Sequence, residues 1–159
     1  MRLLRVFLTT MFLTIAVSAA AEDMNGFRGF IWGSNLDVIR EADPSLVEGA
    51  MGTMPGVKAY QRRDEDLNFG GIKVEAITYV FFKGKLTSVN IDYRGFDNYE
   101  KLSAYCTKLF GSATATAVMR LEQYSGFDSP KTGAMLLYQV AMQTTNFGRL
   151  YLYSKQLME

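Results

Sequence analysis

With 17 Lys+Arg, 16 Asp+Glu and no histidine in 159 residues, the chain has no charge excess to draw it to nucleic acid or to an anionic membrane. The missing imidazole excludes a Ser-His-Asp or Cys-His pair and the usual His/Cys type of zinc site. The single cysteine, Cys106, excludes an internal disulfide, so stability must come from packing in a chain that is 48% hydrophobic.

The first 21 residues have the three parts of a secretory signal peptide in order. Arg2 and Arg5 form a short positive region. An apolar run over 6–17 follows, too short for the roughly 20 residues that span a bilayer. Ser18, Ala19, Ala20 and Ala21 then supply the small side chains that a signal peptidase accepts, with cleavage expected before Glu22. No cysteine lies near that junction, so no lipid anchor is expected. The 159 residues less 21 leave 138, one domain over 22–159. The 17 basic residues less Arg2 and Arg5 leave 15 against 16 acidic ones. The expected destination is the periplasm or the exterior, with no stable membrane anchor.

Phe27, Phe30, Ile31 and Trp32 form a first apolar cluster, read as a short extended segment. Trp32 could be a platform for stacking a ligand; its apolar neighbours favour a core anchor. Ser34, with Asp37 three residues on, predicts a capped helix, and Leu36, Val38, Ile39 and Ala42 supply its stripe. Pro44 ends that helix near Asp43. Residues 45–56 hold three glycines and Pro55 and read as a loop. Strands are predicted over 57–63, 72–82 and 86–94. In the last of these, Thr87, Val89, Ile91 and Tyr93 alternate with Ser88, Asn90, Asp92 and Arg94, which marks a sheet with one wet face. Lys83-Gly84 joins the last two strands as a hairpin. A second helix is predicted from Asp97 or Asn98, with Glu100 in a second capping box and Gly111 as its stop. Its stripe is Leu102, Tyr105, Cys106, Leu109 and Phe110, which favours a buried, inert thiol over a reactive one. Three more strands follow over 116–124, 133–144 and 149–153.

This order predicts an α+β fold. An antiparallel sheet carries two helices on one face, in a tandem α-β-β-β repeat starting near Ser34 and Asn98. The run Phe27-Arg28-Gly29-Phe30-Ile31-Trp32-Gly33, then Ile77-Thr78-Tyr79-Val80-Phe81, Gly84-Lys85-Leu86 and Leu109-Phe110-Gly111, resembles small exported bacterial proteins of uncharacterised function that share an F-x-G-x-x-W-G motif. The repeated layout also resembles the fold of β-lactamase-inhibitor proteins and outer-membrane-assembly lipoproteins. That likeness is one of fold and transfers no function. The resemblances imply no catalytic residues.

Sites that chemistry would need are scarce. There is no P-loop and no G-x-G-x-x-G after a strand, and no cofactor is expected. The acidic run Asp64-Glu65-Asp66 lacks the spacing of a calcium loop and follows Arg62-Arg63, so it reads as a solvated, locally neutralised turn. The tyrosines are more informative. Tyr79, Tyr93, Tyr138, Tyr151 and Tyr153 lie on predicted strands and are the candidate binding residues, with ordinary cross-strand packing as the competing account. The preferred expectation is a non-enzymatic binding domain that takes a protein partner through its sheet. A carrier of a small lipophilic ligand is the alternative, as is an enzyme built on carboxylates such as Glu75, Asp92, Glu122 and Asp128.

Overall fold

A computed structural model describes residues 24–49, 54–119, 122–141 and 145–158. The export signal expected over residues 1–21 lies outside them. The chain opens with a hairpin of β1 (Gly26–Phe27) and β2 (Phe30–Ile31), then α1 (Leu36–Ala42), β3 (Leu46–Glu48) and β4 (Val57–Arg62). A second small hairpin, β5 (Asn68–Phe69) and β6 (Ile72–Lys73), precedes β7 (Ala76–Phe82) and β8 (Lys85–Arg94). Then come α2 (Phe96–Phe110), β9 (Ala115–Met119), β10 (Glu122–Asp128), β11 (Thr132–Ala141), β12 (Thr145–Ser154) and the short α3 (Lys155–Met158). Among the described residues, no helix is long and apolar enough to cross a membrane.

The fold is α+β, dominated by one antiparallel sheet. Its eight strands run in the order β3-β4-β7-β8-β12-β11-β10-β9. The first four come from the first half of the chain and the last four, in reverse, from the second. The halves meet at β8 and β12, where Ser88 opposes Tyr153 and Arg94 opposes Phe147.

Strand alternation sorts the side chains. Ile77, Tyr79, Val89, Ile91, Tyr93, Leu150, Leu152, Leu136, Tyr138 and Phe127 all point into one core cluster. Leu36 and Ile39 of α1 join it, as do Tyr99, Leu102, Cys106 and Phe110 of α2. The α2 residues are spaced by three and four, which puts them on one helical face. Trp32 packs against this cluster, and its Nε1 donates to Thr132 Oγ1 at 2.7 Å. The Thr132 hydroxyl in turn donates to the Met24 carbonyl.

A register shift interrupts the β7–β8 pair. Val80 opposes Ser88 and Phe81 opposes Leu86, so Thr87 is the extra residue. Its Oγ1 donates to the Val80 carbonyl at 3.3 Å. The bulge lets Leu86 and Val89 both reach the core although they are three positions apart, an odd spacing that would put them on opposite faces of a regular strand.

Several expected boundaries move. Neither capping box forms. The N-cap of α1 is Asn35 rather than Ser34, and it makes no side-chain cap bond. The turn after β7 does the capping instead, since Leu36 N–H donates to the Gly84 carbonyl at 2.8 Å. Likewise α2 starts at Phe96 behind Gly95, and Asn98 Nδ2 donates back to the Arg94 carbonyl at 2.8 Å. The expected loop 45–56 contains β3, which pairs Leu46 with Arg62. The expected strand 72–82 divides into β6 and β7, because Val74 N–H pairs with Leu67 and Glu75 N–H with Asp92. The expected strand 116–124 divides into β9 and β10, which fold back on each other with Met119 opposite Glu122.

Candidate functional site

On β12, every second residue points away from the core set Gly148, Leu150 and Leu152. These residues are Phe147, Arg149, Tyr151 and Tyr153. Pairing carries the row of each across the sheet. Arg149 stands between Asp92 on β8 and Leu137 on β11, and Leu137 opposes Tyr124 on β10. Tyr151 stands between Asn90 and Met135, and Tyr153 between Ser88 and Gly133.

Arg149 holds the centre of this surface. Its Nη2 donates to Asp92 Oδ2 at 2.8 Å, and its Nε donates to the other carboxylate oxygen. This two-point pairing raises the guanidinium's pKa further and fixes its plane. The guanidinium lies 5.4 Å from the Phe147 ring and 5.6 Å from the Tyr151 ring, so one cation sits between two aromatic faces on the same strand. Beside it the Tyr124 hydroxyl donates to Glu122, and that bond raises the phenol's pKa. Gln139 Nε2 holds the second Glu122 oxygen at 2.6 Å. Tyr153 lies so close over Gly133 that a Cβ there would fall 2.2 Å from its ring. Asn90 Oδ1 is buried with no hydrogen-bond partner among the described residues, an arrangement that typically costs about 1–3 kcal/mol.

The five tyrosines singled out from the sequence therefore do not share a surface. Tyr151 and Tyr153 belong to the face just described. Tyr79, Tyr93 and Tyr138 are core residues. The Tyr79 hydroxyl donates to Glu65 at 2.8 Å and that of Tyr93 to the Leu137 carbonyl at 2.8 Å. The Tyr138 ring meets Phe96 edge-on at 5.4 Å. Strand parity makes the division, since Tyr93 and Tyr138 flank Gly148 whereas Tyr151 and Tyr153 lie on the alternate positions. Phe147, Arg149, Leu137 and Tyr124 complete the surface; of these only Tyr124 is a strand tyrosine of the kind the sequence singles out.

Within the acidic run Asp64 and Asp66 are exposed beside a turn, as expected, whereas Glu65 is drawn into the fold. The side chain of Glu65 is only 7% exposed. It accepts from Arg28 and Tyr79, with Arg62 Nη1 3.9 Å away. Arg62 also stacks 4.2 Å above Phe30 and donates to Asp43 at 2.8 Å. Asp43 has a lowered pKa, chiefly because Ser45 donates to it. Neutralisation by arginine is present, but the cluster is built into the fold, where it fastens the β1–β2 hairpin to the chain around Asn68.

The four candidate carboxylates each have their own partners. Asp92 pairs with Arg149, Glu75 with Arg94, Asp128 with Lys155, and Glu122 with Tyr124 and Gln139. Among the described residues, no group of three or more His, Cys, Asp or Glu is placed to hold a metal ion. A cleft of about 750 Å³ next to Trp32 is lined by polar groups, including Asn25, Lys131, Ser154 and Lys155. Compared with family models, curated proteins and solved structures, the chain matches none.

Proposed function

We propose that this is a non-enzymatic binding domain, exported to the periplasm or beyond, that recognises a protein partner through the sheet face bearing Phe147, Arg149, Tyr151 and Tyr153. The observation that carries this reading is the guanidinium of Arg149, pinned by Asp92 and flanked by two aromatic rings. Arginine and large aromatics dominate binding energy at protein interfaces, and rings already held in place lose little entropy on docking. The export address rests on the pattern of residues 1–21.

The same proposal includes a duplicated architecture. Each half is a helix followed by a run of strands, and both helices lie on the core side of the sheet. Arg40 of α1 stacks 5.8 Å over Tyr60, and the Tyr99 hydroxyl of α2 bonds Ser125, both inward-facing strand residues. That arrangement leaves the Tyr151 face clear of helices. It agrees with the likeness in layout to β-lactamase-inhibitor proteins, an analogy of fold alone.

The test is capture of a partner from a periplasmic extract by immobilised protein, followed by affinity measurement with variants. Tyr151→Ala and Arg149→Ala are each expected to weaken binding by about tenfold or more, as central aromatic and arginine contacts do. A partner bound equally well by both variants, each shown to be folded, would exclude this face. A purified monomer with a specific hydrolytic activity and no partner would exclude the binding reading altogether.

A further inference from the structure

The two ends of the eight-stranded sheet are built differently. The β3 end is three residues long, buries Leu46, and carries Glu48 beside Lys58. The β9 end is Ala115-Thr116-Ala117-Val118-Met119, which among the described residues pairs with β10 alone. All five residues are exposed, Val118 at 75% and Met119 at 62%. The strand has no charge and no proline, and its register with β10 runs without a bulge. Soluble proteins blunt their edge strands with these devices, because an open row of main-chain N–H and C=O groups templates another strand. β9 has none of them.

We infer that β9 is a dimer seam, at which β9 of a second copy of this chain adds in antiparallel fashion and joins two sheets into one. Geometry fixes the register. A two-fold axis perpendicular to the sheet keeps both cores on one side only if residues of like parity oppose each other, so the axis must fall on a residue. The middle residue is Ala117, and centring there pairs all five. Ala117 then meets Ala117 of the second copy, Thr116 meets Val118, and Ala115 meets Met119. Two β-branched side chains face each other on one side, and a small one faces a long one on the other. No like charges meet anywhere along the seam. The strand is thus complementary to itself, which is what an isologous contact requires. Ala117 also continues the row that holds Arg149, Leu137 and Tyr124, so pairing sets the two aromatic faces side by side.

A five-residue seam is much smaller than a standard interface of about 1,600 Å², so the dimer is weak, with a Kd on the order of 0.1 mM. Sedimentation equilibrium of the purified protein over a range bracketing that value is the experiment. Ala117→Glu and Ala117→Lys put two like charges opposite each other on the axis, at an exposed position where the fold tolerates them. Thermal melts of both variants check that tolerance. Each variant alone is expected to dimerise at least about tenfold more weakly than the unaltered protein, and an equimolar mixture to regain the dimer as opposite charges meet. The inference is overturned if the unaltered protein stays monomeric at about 1 mM, whether or not it takes up an extended peptide from another protein. It is equally overturned by a dimer that neither variant weakens, or by a mixture that does not re-associate.

Discussion

The Tyr93 ring lies flat across Gly148, its neighbour on β12, and its hydroxyl reaches on to the Leu137 carbonyl at 2.8 Å. A Cβ at Gly148 would fall 2.1 Å from a ring carbon. The ring cannot swing away, because it is fully buried against Tyr99, Cys106 and Tyr138. Gly148→Ala is therefore expected to destabilise the protein by about 2–3 kcal/mol, from overpacking and the loss of that hydrogen bond. Urea denaturation measures it, and a loss below about 0.5 kcal/mol would show that the ring has room after all. Gly133→Ala meets Tyr153 just as closely, yet should cost less, because Tyr153 is half-buried and free to rotate outward. The pair separates the two roles of tyrosine here: one ring packs a glycine inside the core, the other covers a glycine on the opposite face of the sheet, the one proposed to bind. Nothing in composition distinguishes Tyr93 from Tyr153. Parity does, and parity needs the register of a partner strand.

Turns and caps carry the lesson at the scale of elements. Lys83 and Gly84 both have positive φ, 48° and 76°, the backbone of a type I′ hairpin turn. Lysine tolerates that conformation less well than asparagine does. Lys83→Asn is thus expected to stabilise the protein by about 0.5 kcal/mol in thermal or urea unfolding, and any loss of stability would refute it. This hairpin was legible because alternation on both sides framed a Gly-containing pair. The buried stripe of α2 was legible for the same kind of reason, since Leu102, Cys106 and Phe110 repeat at helical spacing. The caps were misread. Ser34 and Asp97 have the residue types of N-caps, but the first helix takes its cap from Gly84, 48 positions beyond the Leu36 it bonds. Short edge strands were also hidden. β3 is too brief to show alternation, and β9 and β10 form one continuous apolar-polar mixture whose reversal no glycine or proline in the described residues announces. Of the candidate site, the sequence exposed only Tyr151 and Tyr153. Arg149 acquires meaning from Asp92, which lies 57 residues away.

The whole molecule concentrates weak acids in its core. Burial lifts the Cys106 thiol from 9.0 to about 12 and raises the hydroxyls of Tyr79 and Tyr93 above their usual value. A group whose folded pKa exceeds its unfolded one stabilises fully below the unfolded value. That contribution is lost as pH rises towards the folded value. Stability should accordingly fall as pH climbs from about 9 towards 12. Cys106→Ala should flatten the first part of that decline, because of these three groups the thiol has the lowest unfolded value and titrates first. Thermal midpoints across this range test the point, and a flat profile in the native protein would contradict it.

Thr132 has a further consequence for the order in which the chain completes itself. Its hydroxyl accepts from Trp32 and donates to Met24, partners 100 and 108 residues earlier. The first described hairpin is thus fastened in part by a residue that emerges late in synthesis. A segment delivered start-first across a membrane would carry its opening hairpin held by Arg28 to Glu65 and Asn68, but without its Thr132 bonds until residue 132 had followed. Closing so long a loop is the slow, entropically costly kind of contact. Local meanders can assemble within each half as they arrive. The finished domain, by contrast, is a late and cooperative event that binds the beginning of the chain to its end.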